Sequence, residues 1–251
     1  MAEARPQTSA ASWTEPEGLL ARGTLILVPG RGEQPEVYER FGRRISSDAF
    51  RVHVAADPVT DAALAESQVK QQLDGSGATV PGPVVLVGSD TGALFAAGLL
   101  ASGTVSGVDA LILAGLPADG RAGDTAPADW DDELGARTTC PTHRGRLADG
   151  LVRPGALYEP VPEGWADRAD LARITQPVLG LHGTDDPVSP LSAVRARYAA
   201  APNADLVSVT GTTHDALNNA THRTVAATVI LFLERLRQGA GLTPIAVHED
   251  L

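Results

Sequence analysis

Apolar side chains follow two rhythms along this chain. Short unbroken runs occupy 24–28 (TLILV), 83–87 (PVVLV), 108–114 (VDALILA) and 177–183 (PVLGLHG). Runs of this length suit strands buried on both faces, as in a parallel sheet. Residues 50–55 (FRVHVA) and 204–211 (ADLVSVTG) read as further strands. Helix-spaced segments lie between them. Val37, Phe41 and Ile45 recur at every fourth position in 35–46, and helices are expected over 61–73, 91–102, 191–200 and 221–238. Alternating strands and helices predict an α/β protein of three layers: a mostly parallel sheet, helices on both faces, right-handed crossovers. In such sheets ligands bind beyond the carboxyl ends of the strands, so the loops after strands carry the most information.

Three segments break the rhythm. Residues 1–20 are polar and read as an N-terminal arm or a frayed edge strand. Residues 117–172 are rich in Gly, Pro, Asp and Arg and hold Trp130 and Trp165. A structureless loop of that length is uncommon, so a short helical lid is expected there, inserted between core segments 21–116 and 173–239. The tail, 240–251, reads as disordered. The 251 residues thus fit one domain with an insertion.

Charge and composition narrow the function. With 20 Lys and Arg against 31 Asp and Glu, the net charge is −11, which argues against nucleic-acid backbone binding. The single cysteine, Cys140, leaves no internal disulfide framework and no Cys-based zinc site. The six histidines have no metal-ligand spacing, so neither a metal nor another cofactor is expected. No apolar run approaches the roughly 18 to 20 residues that span a bilayer, and the N-terminal stretch has no apolar signal-type segment. The expectation is a cytoplasmic protein whose partner is a small organic molecule.

The most informative segment is VVLVGSDTGALFAAGLL, a strand, then Gly88-x-Asp90-x-Gly92, then a helix. A turn of this form lifts its middle side chain above the sheet, and the glycines are needed where side chains would strike neighbouring backbone. Asp90 holds the middle position; Ser89 cannot, since its flanks would be Val87 and Thr91. Read locally, Asp90 is also a candidate helix N-cap. Downstream, Asp186 lies in the loop after one expected strand, with Asp185 as an alternative, and His214 in the loop after the next.

The order Asp90, Asp186, His214 resembles the nucleophile, acid and histidine of the α/β-hydrolase superfamily, over 22–116 and 174–238. The loop PGRGE at 29–33 looks most like the lysophospholipase-type branch, with Pro29 where a His is usual. The resemblance implies an oxyanion hole from the backbone N–H groups of Arg31 and Thr91. An aspartate in place of serine is similar to epoxide hydrolases and haloalkane dehalogenases.

That exchange alters the chemistry. A carboxylate is ionised at neutral pH and needs no base to become a nucleophile. Attack on saturated carbon, as in epoxide opening, would leave an alkyl ester on Asp90, which water activated by His214 would hydrolyse. Thr91 stands where a dehalogenase commonly keeps a halide-binding Trp, so epoxide opening is the leading expectation. Tyr158, His143, Tyr38 and Trp130 are the candidate substrate contacts. The alternatives are an esterase- or lactonase-like acyl hydrolase, a non-hydrolytic enzyme using Asp90 as acid or base, and a catalytically dead ligand-binding scaffold. A dinucleotide site at Gly30-x-Gly32 with Asp57 is incomplete, because Pro35 fills the third glycine position.

Overall fold

The computed structural model describes residues 10–77, 79–119, 129–247 and 249. Among these residues seven strands form one sheet: β1 (Ala11–Trp13), β2 (Gly23–Val28), β3 (Phe50–Val54), β4 (Val84–Ser89), β5 (Ala110–Ala114), β6 (Val178–Gly183) and β7 (Ala204–Val209). Their order is β1-β3-β2-β4-β5-β6-β7, with β1 antiparallel to β3 and every other pairing parallel. The N-terminal segment is therefore an edge strand from Ala11 to Trp13. The expected helix over 35–46 divides into a 3-10 turn, Pro35–Tyr38, and α1 (Glu39–Ser46).

The unbroken apolar runs serve both faces of the sheet at once. Leu25 and Leu27 of β2 point into one cluster, and Ile26 and Val28 into the other. The first cluster packs under α1 and α8 (His222–Arg237), through Phe41, Ile45, Val229, Phe232 and Leu233. The second packs under α2 (Ala62–Leu73), α3 (Thr91–Ala101) and α7 (Leu191–Ala199), through Val69, Leu94, Ala97 and Val194. Burying each such side chain is worth about 1.5 to 3 kcal/mol, so this period-two division is what commits the strands to a central position.

Among the described residues between β5 and β6 lie three α-helices, α4 (Trp130–Arg137), α5 (Pro141–Arg146) and α6 (Trp165–Arg168), with other helical turns among them. Asp129 caps α4 by accepting the Asp132 N–H at 3.0 Å. Trp165 packs on Phe95 of α3, ring centroids 5.0 Å apart, which anchors the segment to the core. The tail departs from the expected disorder at Leu242, which is buried and whose carbonyl accepts the Arg235 guanidinium.

Candidate active site

Asp90 follows the end of β4 and precedes α3, with φ 50° and ψ −125°. A non-glycine residue holds such a backbone only where its surroundings over-determine it. Here both neighbours are pinned. A Cβ on Gly88 would lie 2.4 Å from the Cα of Ala93, and one on Gly92 would lie 2.3 Å from the carbonyl oxygens of Val28 and Pro29. The Asp90 side chain makes no cap bond to α3, so the local helix-cap reading fails.

The carboxylate points instead to His214 and Arg31. His214 Nε2 lies 3.1 Å from Asp90 Oδ1, and Nδ1 lies 2.8 Å from Asp186 Oδ2. Asp186 is fixed in turn, because its Oδ1 accepts the Val188 and Ser189 N–H groups, each at 2.9 Å. Asp185 is exposed and takes no part. His182 Nε2 also lies 3.2 Å from Asp186, a contact without a sequence signal.

Arg31 departs from expectation. Its backbone N–H donates to Asp90 Oδ2 at 3.0 Å, and its side chain also grips the carboxylate, Nε to Oδ2 and Nη2 to Oδ1, both at 2.8 Å. Nη1 donates to the Glu159 carbonyl at 2.5 Å. Arg31 is 0% exposed and Asp90 3%. Thr91 meets Asp90 through its hydroxyl, at 3.5 Å from Oδ2.

The electrostatics follow from this packing. Burial pushes the Asp90 carboxyl up, but Arg31 and His214 outweigh it and hold the group well below its ordinary value. Asp186 is likewise held low, burial being overcome by His214 and His182. Burial would discharge His214, yet Asp186 and Asp90 raise its pKa to about 10. At neutral pH the four groups are two carboxylates, an imidazolium and a guanidinium, a quartet without net charge.

The expected substrate contacts divide. Tyr38 is buried and donates its only hydroxyl proton to Glu33 Oε2 at 2.5 Å, so it has none for a ligand. His143 is buried against Asp215, 2.7 Å away. Tyr158 is half-buried, and burial, followed by the charges of Glu133 and Asp186, pushes its hydroxyl pKa up. Trp130, partly buried, packs against the first core cluster. Asp57 accepts the Gly32 N–H at 3.0 Å and the Thr60 hydroxyl at 2.7 Å, so it orders the loop after β2 and occupies a backbone donor that a nucleotide phosphate would use.

Beneath this loop lies a buried chain of ions with no equivalent in the sequence expectations. Arg137 of α4 contacts Glu33 at 3.1 Å and Glu133 at 2.8 Å, and donates to the Arg31 carbonyl at 3.3 Å. One clue was available: Arg31 and Glu33 directly follow a wholly buried strand, and charges so placed need partners. Among the described residues no group of three or more His, Cys, Asp and Glu is placed to hold a metal ion, and no helix is long and apolar enough to cross a membrane.

Solved structures match this architecture. A monoacylglycerol lipase from Paleococcus ferrophilus superposes with a TM-score of 0.71 at 18% identity, covering 90% of this chain and 97% of that one. A soluble variant of the monoglyceride lipase of Saccharomyces cerevisiae, in complex with a substrate analogue, gives 0.72 at 17% identity, with 90% and 91% covered. The chain has the α/β-hydrolase fold. An esterase from Rhodococcus sp. ECU1013 shares the fold at a TM-score of 0.64 and 20% identity, over 90% of this chain and 94% of that one. A TAP-like protein model of the α/β-hydrolase class matches residues 156–240, the stretch that carries Asp186 and His214. No curated protein matches the sequence.

Proposed function

We propose that this protein is a hydrolase of the α/β-hydrolase type that cleaves an acyl bond, in an ester or a lactone, at Asp90, His214 and Asp186. The observation that carries the reading is the buried bridge of His214 between Asp186 at 2.8 Å and Asp90 at 3.1 Å, beside the Arg31 N–H. The lipases and esterases that share the fold lend it support. It replaces epoxide opening as the leading expectation.

With aspartate at position 90, the roles differ from those of a serine site. A serine needs a neutral imidazole to take its proton. Here the imidazolium, with its pKa raised to about 10, is an acid at neutral pH. The substrate carbonyl takes the Arg31 backbone N–H, and the guanidinium leaves Asp90. So released, the Asp90 carboxylate regains basicity and accepts a proton from the water that attacks the carbonyl carbon. As the tetrahedral intermediate collapses, Nε2 of His214 gives its proton to the departing alkoxide. The proton on Asp90 then returns to His214, closing the cycle.

A second reading keeps Asp90 as a nucleophile toward the saturated carbon of an epoxide. One observation favours it: Oδ2 already faces the Arg31 N–H while Oδ1 faces His214. An alkyl ester on Oδ1 would place its carbonyl oxygen against that donor, ready for attack by water.

One assay set tests both. Aryl esters, lactones and epoxides are offered to the wild type, Asp90→Asn and His214→Gln. Acyl hydrolysis predicts ester or lactone turnover that falls by about 10²- to 10⁴-fold in each variant, with no added mass on the protein. Epoxide turnover, with an adduct on Asp90 accumulating in His214→Gln, would establish the second reading instead. Absence of turnover in every class, with esters that carry a second carboxylate included in the set, would defeat the hydrolytic reading.

A further inference from the structure

Asp90 has no lone pair to spare. A carboxylate offers about four acceptor positions. Oδ2 uses two on the Arg31 backbone N–H and Nε, with the Thr91 hydroxyl a more distant donor at 3.5 Å, and Oδ1 uses two on Arg31 Nη2 and His214 Nε2. In this arrangement Asp90 neither holds a water nor attacks a carbon until Arg31 lets go. A guanidinium this deeply buried leaves one carboxylate only for another acceptor of like charge and planar shape. The other acids whose charge reaches Arg31 are Glu159 and Glu33. Glu33 is held by Tyr38, the Gly30 N–H and Arg137, and the Glu159 side chain is paired with Arg153. Neither is free to take over.

We infer that the ligand supplies the missing anion: the substrate carries a carboxylate of its own besides the scissile bond, and this carboxylate takes the Arg31 fork from Asp90. Nη1 stays on the Glu159 carbonyl, so the guanidinium pivots about a fixed corner while Nε and Nη2 change partner. Substrate binding and release of Asp90 are then one event, and a neutral molecule leaves the site locked. The exchange deepens the hydrolytic reading and rests on it for its chemistry, but the binding step is measurable alone.

Butyrate is the probe for binding, measured by calorimetry and thermal shift on the intact protein. The wild type should bind it, and Arg31→Gln should not. Arg31→Lys, which keeps the charge without the fork, should bind it more weakly than the wild type. Asp90→Asn should bind it about tenfold more tightly or better, because the internal competitor for the guanidinium is gone. The turnover arm compares the aryl monoester of adipic acid with the aryl ester of hexanoic acid. The charged ester should be preferred by the wild type, and the preference should shrink in Arg31→Lys and vanish in Arg31→Gln. Butyrate binding no tighter in Asp90→Asn than in the wild type overturns the exchange. Equal turnover of the two esters overturns it as well, since Arg31 would then receive only a product acid. If neither ester is cleaved while butyrate follows the expected order, the exchange stands and the hydrolytic reading falls.

Discussion

At residue scale, Asp90 and Arg31 are a single unit. Removing one member of a buried ion pair strands the other without water, which costs about 3 to 5 kcal/mol. Asp90→Asn strands Arg31, which is 0% exposed, and should lower stability in urea by that order. Arg31→Leu alone leaves Asp90 with His214 and should cost less. The double variant should lose clearly less than the sum of the two, since neither charge is then left alone. Strictly additive losses would mean that the pair does not act as a unit. Asp90, Asp186 and His214 were legible in the sequence because glycine flanks and chain order mark them. The Arg31 side chain was not. Spacing places its backbone at the end of β2, but only the assembled site decides whether the side chain turns outward to water or inward to a carboxylate.

At the scale of elements, the helical segment after β5 is sewn to the two loops that carry the site. The His214 N–H donates to the Ala136 carbonyl at 3.1 Å and the Asp215 N–H to that of Arg137 at 2.8 Å. The Arg153 N–H donates to the Gly32 carbonyl at 2.9 Å. Arg137 sits at the centre of this seam, because it neutralises Glu33 of the loop after β2 and Glu133 of its own helix. Glu133 in turn accepts the Gly155 N–H at 2.5 Å and the Leu157 N–H at 3.2 Å. Arg137→Met therefore leaves two buried acids without a cation. It should cost about 3 to 5 kcal/mol and speed amide exchange in both 129–158 and 30–34, measured by hydrogen exchange. Faster exchange confined to α4 would show that the seam does not couple the two. The sequence made a helical insertion readable through its length and tryptophans. The four-residue spacing of Glu133 and Arg137 is the same on an exposed helix face as in a buried network, and only contact with Glu33 tells them apart.

At the scale of the whole molecule, the buried quartet writes itself into the pH dependence of folding. The chain carries a net charge of −11, so self-repulsion grows as pH rises, whatever happens at the site. His214 adds a separate contribution. Its pKa is raised on folding from 6.5 to about 10, so the folded state holds the proton more tightly than the unfolded chain. The stability this supplies is complete below the lower value and is lost as pH rises through the upper one. Asp90 and Asp186 work in the opposite sense. Both are lowered on folding from 3.8, so their contribution is present above that value and fades as pH falls. The difference in unfolding free energy between the wild type and His214→Gln isolates the imidazolium, because self-repulsion is common to both proteins. Urea unfolding at pH 6, 8 and 10 should give a difference of a few kcal/mol at the lowest pH that shrinks steadily toward the highest. A constant difference would mean that His214 is neutral throughout. The acid role given to it in ester cleavage would then have to pass to another group.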